Sequence, residues 1–136
     1  MLKSLVATHI YVKDQNEALR FFTEKLGFEI RADVTNGDFR WLSVGLKDQP
    51  DLQFGLLALK PGGPLNEEDV TALTKLVEGG KLGAGVWKTD DCRATYEHLK
   101  AKGVEFIIPP TDRPYGMTEA VFKDNSGNVF VLQSDR

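Results

Sequence analysis

A histidine in a short alternating run is the first residue of this chain that could do chemistry. Residues 7–14 read A-T-H-I-Y-V-K-D, and His9 is one of only two histidines. Side chains two positions apart on a strand share a face, so His9 and Tyr11 are predicted to point the same way. An imidazole can bind a metal, transfer a proton, hydrogen-bond a ligand or complete a structural polar network. The run alone leaves all four roles open.

Four further residues are candidates for contact with a ligand. Arg40 and Trp41 are neighbours in the strand-like run F-R-W-L-S-V, so they point to opposite faces, and the run does not fix which faces inward. Tyr115 lies in the loop sequence R-P-Y-G, and Glu119 in the strand-like M-T-E-A-V-F. Aromatic rings and a few polar groups of this kind suit an organic ligand. Packing or solvent exposure are the ordinary alternatives for each of them.

Composition limits the classes of partner. The chain has 17 basic and 20 acidic residues, a net charge of −3, and its basic residues are scattered singly. Nucleic-acid binding needs clustered Lys and Arg, so no nucleic-acid partner is predicted. No apolar run reaches the roughly 18 residues of a membrane span, and no signal-peptide pattern opens the sequence. We therefore expect a cytoplasmic protein with no membrane partner.

The single cysteine, Cys92, excludes an internal disulfide and a multi-cysteine zinc site. It follows Asp91, where a helix N-terminus can activate a thiol. It also falls in an apolar stripe with Tyr96 and Leu99. This second feature predicts a packed, unreactive thiol.

The chain contains the same pattern twice, at 8–28 and 85–106. Each copy is an alternating apolar stretch, an aspartate, an amphipathic helix pattern and a glycine. The aspartate suits a helix N-cap and the glycine suits the left-handed residue that ends a helix. The matching pairs are Asp14 with Asp91 (or Asp90) and Gly27 with Gly103.

Three strand-like runs follow each helix pattern and are separated by turn signals, among them Pro109-Pro110. The prediction is βαβββ, a linker and a second βαβββ, an α+β fold. The predicted bounds are about 1–60 for module one, about 61–80 for the linker and about 81–136 for module two. Within the linker, helical spacing over Leu65–Glu78, with Asn66 as cap, predicts a short helix, which acts as a connector or as a lid.

These motifs resemble the vicinal oxygen chelate superfamily, which includes glyoxalase I, extradiol dioxygenases and bleomycin-resistance proteins. The resemblance rests on V-K-D-Q-N-E-A-L-R-F-F-T-E-K-L-G-F at 12–28, L-K-A-K-G-V-E-F at 99–106, and P-Y-G…F-K-D-N-S-G-N at 114–128. It implies one domain over 1–136, in which the two modules form a curled mixed sheet around a cavity. It also implies a homodimer.

In metal-binding members of that superfamily up to four side chains meet a metal ion in the cavity. The matching positions here hold Ala7, Ala84 (or Gly83) and Val131, and the fourth strand offers only Gln53. None of the first three can ligate through its side chain. No metal and no cofactor are therefore predicted, and a divalent metal at a displaced site that includes His9 is the alternative.

The sequence thus predicts a small-molecule binding protein without the usual metal site. His9, Tyr11, Tyr115, Glu119 and either Arg40 or Trp41 are its predicted ligand contacts. The alternative is an enzyme, either a metal-dependent lyase or dioxygenase with a displaced site, or one that uses His9 without metal. A purely structural dimerisation module is a third class, which leaves a polar cavity unexplained. The sequence does not decide between enzyme and binding protein.

Overall fold

The computed structural model describes residues 1–136. A strand, a helix and three strands occur twice, with a further helix between the two sets. A π-helical turn, Phe21–Lys25, prolongs the first helix. The bounds are β1 Ala7–Val12, α1 Gln15–Arg20, β2 Glu29–Asn36, β3 Phe39–Gly45, β4 Gln53–Ala58, α2 Glu67–Glu78, β5 Gly83–Lys88, α3 Cys92–Ala101, β6 Phe106–Asp112, β7 Met117–Lys123 and β8 Val129–Asp135.

The strands form two four-stranded mixed sheets, ordered β1-β4-β3-β2 and β5-β8-β7-β6. β1 runs parallel to β4 and β5 parallel to β8, whereas the other neighbours are antiparallel. Each sheet is curled and open, and the predicted α+β class with two βαβββ modules is confirmed. The chain divides into two compact units, Met1–Lys75 and Leu76–Arg136, with the boundary inside α2. One domain over the whole chain stays a prediction.

The helix caps form as the two aspartates predict. Asp14 Oδ1 accepts a hydrogen bond from the Glu17 amide at 2.9 Å, and Asp91 Oδ1 accepts one from the Ala94 amide at 3.0 Å. Gly27 and Gly103 follow the helices with φ of 76° and 88°, in the left-handed region that glycine enters without strain. Short local signals therefore set both helix starts and both exits.

α1 and α3 each cover one face of the sheet in their own unit. In the first unit Phe21 and Phe22 are both buried, because the π-helical turn turns two consecutive side chains inward, and Phe22 lies edge-on to Phe28 with ring centroids 5.4 Å apart. In the second unit Phe122 and Phe130 stack at 5.1 Å under α3. The burial of these rings is the main contribution to holding helix and sheet together.

The predicted turn at Pro109-Pro110 is wrong, because β6 continues through both prolines to Asp112. The strand lies at the edge of its sheet, and its register shifts between Ile108 and Thr111. Proline lacks an amide donor, so an irregular edge strand can hold it where a central strand cannot.

The predicted linker helix is present as α2. Asn66 Oδ1 accepts from the Asp69 amide at 2.8 Å, and Asp69 Oδ2 accepts from the Asn66 amide at 2.9 Å, a reciprocal cap. None of the helices has the length and apolar character that a membrane span requires.

Candidate functional site

The first candidate surface is the face of the first sheet that α1 does not cover, here called the first inner face. Register pairs His9 and Ser43 with Gly55, and Tyr11 with Leu57. Trp41 lies two residues before Ser43 and so shares this face. The strand parity that the sequence left open is thereby set: Trp41 faces with His9 and Tyr11, and Arg40 faces the other way.

Trp41 lies directly over Gly55. A Cβ built at Gly55 would stand 2.8 Å from two atoms of the indole ring and 3.1 Å from His9 Cβ, so only glycine leaves the ring its place. The indole Nε1 donates to Gln53 Oε1 at 3.2 Å, and Ser43 Oγ donates to the same oxygen at 2.7 Å. The half-exposed ring is therefore held in one place against the sheet.

His9 and Tyr11 continue this aromatic surface along β1. Their rings meet edge-on, with centroids 5.4 Å apart. His9 is exposed, and Tyr11 is half-buried. An exposed imidazole beside a phenol offers hydrogen-bonding groups at the border of an apolar patch.

A cavity of about 310 Å³ opens beside the first inner face, in the same unit. Tyr11 and Leu57 belong to both. The walls are mainly aromatic and aliphatic, and the Lys60 ammonium, which donates to the Asp38 carbonyl, is a cationic group among them. The other lining residues are Asn36, Phe39, Arg40, Ala58 and Pro61–Leu65.

Arg40 lines this cavity, but its charge is already engaged. Its guanidinium binds both Asp33 carboxylate oxygens at 2.9 Å and donates to Asn16 Oδ1 at 2.8 Å. The hydrogen bonds from Arg40 hold the pKa of Asp33 below its ordinary value. These contacts tie β3 to β2 and to α1, so the guanidinium has a structural role in addition to any contact with a ligand.

The second candidate surface is the uncovered face of the second sheet, here called the second inner face. Glu119 points to it, and its carboxylate accepts a hydrogen bond from the Tyr115 hydroxyl and one of 2.8 Å from Gln133 Nε2. Arg113 Nε stands 3.6 Å from the same carboxylate. The hydrogen bond from Tyr115, followed by that from Gln133, lowers the pKa of Glu119. Tyr115 and Glu119, predicted separately, thus form one network.

Two other side chains that could take part in catalysis, Cys92 and His98, lie away from both inner faces. Cys92 is buried in α3, and burial raises the pKa of its thiol, which agrees with the packed cysteine that the sequence predicts. His98 is exposed on α3.

The residues present do not fit the metal set of the superfamily. No group of three or more His, Cys, Asp or Glu is placed to hold a metal ion. Ala7, Ala84 and Val131 have no donor atoms in their side chains, and the Gln53 oxygen already accepts two hydrogen bonds. These side chains therefore do not form the metal site of that superfamily, and the absence of a cofactor stays a prediction.

Several contacts of the two inner faces and of the cavity were missed by sequence reasoning. Gln53 and Gly55 support Trp41 through strand pairing, which joins residues distant in the chain. Lys60 and Gln133 also gain their importance from residues distant in the chain. The spacing Q-F-G in β4, a polar residue and a glycine in an apolar strand, is the one local sign of a ring packed against the backbone.

Comparison with known proteins decides the family. Residues 4–132 match the model of the Glyoxalase/Bleomycin resistance protein/Dioxygenase superfamily. The chain belongs to this superfamily. The vicinal oxygen chelate resemblance is confirmed, and the family tolerates several unrelated chemistries on one fold.

Solved structures and curated relatives agree over almost the whole chain. UcmS2 is 44% identical, with a TM-score of 0.93 over 99% of this chain and 100% of that one. TnmS3, an antibiotic binding protein from Streptomyces sp. CB03234, is 28% identical, with a TM-score of 0.76 over 99% and 98% of the two chains. The Bacillus subtilis (strain 168) protein YurT is 39% identical over 130 residues, 94% of this chain and 96% of YurT.

Proposed function

We propose that this chain binds a small organic molecule through a flat aromatic group that stacks on the first inner face. The observation that carries the proposal is the indole of Trp41, fixed over Gly55 by the Gln53 amide. A ring held in one orientation loses little freedom when a ligand covers it, which favours binding. Stacked aromatic pairs add roughly 0.5–1.5 kcal/mol beyond their area burial.

The surroundings of Trp41 suit the same ligand class. The adjoining cavity, about 310 Å³, is at the lower end of the roughly 300–1,000 Å³ of small-molecule pockets. His9 and Tyr11 would supply hydrogen bonds at the border of the stacked ring. Arg40, turned away and paired with Asp33, would act from the cavity wall.

The relatives support a binding role. TnmS3 is an antibiotic binding protein of the same fold at 28% identity. A metal-dependent lyase or dioxygenase would need a displaced site around His9, and the donor set near His9 gives no support to one. We therefore favour a binding protein of the bleomycin-resistance type over an enzyme.

Fluorescence titration with N-phenylnaphthylamine, an uncharged aromatic probe, tests this function. Trp87→Phe leaves Trp41 as the only tryptophan of the two in the chain, so probe bound on the first inner face should quench the remaining emission. Followed by the emission of the probe itself, Trp41→Leu should weaken binding about tenfold, the loss expected for one stacking partner.

Trp87→Phe is also the matched control. Trp87 donates to the Ala84 carbonyl at 2.8 Å and lies 6.1 Å from the Phe130 ring, in the second unit. Its replacement should leave probe affinity unchanged. Absence of probe binding, or equal affinity of the protein with and without Trp41, would overturn the proposal.

The homodimer also stays a prediction, drawn from the resemblance. Apolar side chains including Ile30, Leu76 and Ile107 are exposed in the isolated chain, and a second copy would cover surfaces of this kind. Light scattering at micromolar concentration should give the mass of two chains, and the mass of one chain would contradict it.

A further inference from the structure

Tyr115 differs from the other tyrosines of the chain in how its ring is used. The Tyr96 ring packs edge-on against Phe106 at 4.7 Å, and the Tyr11 ring against His9 at 5.4 Å. Tyr115 is 63% exposed, yet its hydroxyl is bound to Glu119. The ring is therefore held at its tip while much of its surface faces solvent.

The carboxylate that holds Tyr115 is itself held. The Glu119 side chain is only 15% exposed, and Gln133, its partner in the β7–β8 register, donates to its second oxygen at 2.8 Å. Arg113 Nε stands 3.6 Å from the oxygen that Tyr115 contacts. Gln133 thus fixes the acceptor on the second inner face by a hydrogen bond, and Arg113 lies beside it as a cation.

The backbone of the loop that carries Tyr115 is fixed as well. The Arg113 amide donates to the Met117 carbonyl at 2.7 Å, and Gly116 makes the turn with φ of 84°. From the end of β8, the Arg136 amide donates to the Gly116 carbonyl and its guanidinium donates to the Arg113 carbonyl, both at 3.0 Å. Loop and side chain are therefore both held by hydrogen bonds within the chain.

Beyond Glu119, the second inner face continues as an aliphatic floor. Val121 pairs with Val131 across β7 and β8, Val131 pairs with Val86 across β8 and β5, and Val121 pairs with Ile108 across β7 and β6. Val121 lies two residues from Glu119, so it shares the second inner face. An exposed, ordered phenol ring at the side of an aliphatic floor is the geometry that receives a flat ring.

We propose that Tyr115 is a stacking surface for an aromatic group bound on the second inner face, and that Glu119 is the positioning residue that holds its hydroxyl. The proposal rests on the proposed function, since it assumes an aromatic small molecule. It assigns Glu119 no direct contact with the ligand: the carboxylate acts through the phenol.

Binding of N-phenylnaphthylamine to four variants tests the stacking surface. Tyr115→Leu removes the ring and should weaken binding about tenfold. Tyr115→Phe keeps the ring but loses the hydroxyl, and Glu119→Ala removes the acceptor, so each should weaken binding about threefold through a less ordered ring. Tyr96→Phe, which removes a hydroxyl on α3, is the control and should change nothing.

The double variant tests the positioning role. If Glu119 acts only through the Tyr115 hydroxyl, Glu119→Ala should have no further effect in the Tyr115→Phe background. Additive losses would overturn the positioning role. Unchanged affinity in Tyr115→Leu, with a loss in Trp41→Leu, would overturn the stacking surface and leave the proposed function standing; no binding by the unmodified protein would overturn the proposed function.

A measurement without any ligand tests the tether itself. The hydrogen bond to Glu119 raises the pKa of Tyr115, because loss of the phenolic proton would place an anion against a carboxylate. The difference between alkaline absorbance titrations of the unmodified protein and Tyr115→Phe isolates this phenol. It should ionise at higher pH than in Glu119→Ala, and the same midpoint in both proteins would overturn the tether.

Discussion

The two inner faces occupy equivalent places on equivalent sheets and present different chemistry. Tyr11 and Lys88 each lie three residues before the capping aspartate of their helix, and each pairs with β4 or β8, at Leu57 and Gln133 respectively. The first face is aromatic with an exposed imidazole, whereas the second combines an aliphatic floor with a carboxylate network. The same arrangement of strands therefore supports two different surfaces. The difference lies in the alternate strand residues whose side chains point to the inner faces.

The opposite faces of the two sheets, which the helices cover, share the same contacts. The first helical residue of each module reaches the equivalent carbonyl of the parallel strand pair: Gln15 Nε2 donates to the Leu56 carbonyl at 2.8 Å, and Cys92 Sγ lies 3.8 Å from the Leu132 carbonyl. These positions are constrained because each must pack against its sheet and also contact a strand carbonyl. The residues of the inner faces have no helix to pack against, so they can differ between the two modules.

The largest difference in stability should appear at the two turns that lead into β4 and β8. Asp124 Oδ1 accepts from the amides of Ser126, Gly127 and Asn128, each at 2.9 Å, inside a buried turn. Asp124→Ala leaves these donors without their acceptor and should lower the free energy of unfolding by about 3 kcal/mol. Urea denaturation measures the loss.

Arg31 is the comparison for that experiment. It crosses from β2 to the first turn and donates to the carbonyls of Leu46 and Pro50. These carbonyls are more accessible to water, so Arg31→Met should cost about 1 kcal/mol. Equal losses in the two variants would contradict the view that the second turn depends on a buried acceptor.

An intermediate effect should follow from filling the space under Trp41. Gly55→Ala places a methyl group 2.8 Å from the indole, so the ring must move, at a cost of about 2 kcal/mol. Trp41 emission should shift to longer wavelength as the ring becomes exposed. Val131, the equivalent position in β8, already carries a side chain, and Val131→Ala should leave this emission unchanged; a shift in both would contradict the local explanation.

The smallest loss of stability should come from the first turn of α1, where the part-buried Gln15 is compared with the exposed Asn16. Gln15→Ala removes hydrogen bonds of 2.8 Å to the Leu56 carbonyl and 3.2 Å to the Arg40 carbonyl and should cost about 1 kcal/mol. Asn16→Ala, one residue away, removes only an exposed contact with Arg40 and should stay within about 0.5 kcal/mol. Thermal or urea unfolding of the two variants measures both losses. A larger loss of stability in Asn16→Ala than in Gln15→Ala would contradict this prediction.

Much of the fold could be predicted because its signals are local. These signals depend only on residues close in sequence: the capping residues Asp14 and Asp91, the glycines that end the helices, and the alternation of apolar and polar residues in the strands. The prolines of β6 misled the prediction because their tolerance depends on an edge position, which is a property of the assembled sheet. The π-helical turn after α1 was missed because consecutive phenylalanines fit an ordinary helix pattern as well.

The candidate site was only partly predictable, since its geometry comes from pairing between strands. The facing of Trp41 against Arg40 follows from the β3–β4 register, which a one-residue slip would reverse. The link from Tyr115 through Glu119 to Gln133 spans two strands and a loop. The sequence indicated each of the first two residues separately, but it contained no signal that they act together.

The consecutive prolines of β6 also bear on how this protein avoids aggregation. An open sheet edge is a template on which strands of other chains can grow into fibres. At Pro109 and Pro110 the edge strand β6 lacks two amide donors, and the register shift beside them distorts the remaining ladder. The same residues that make β6 irregular therefore make it a poor template for an added strand.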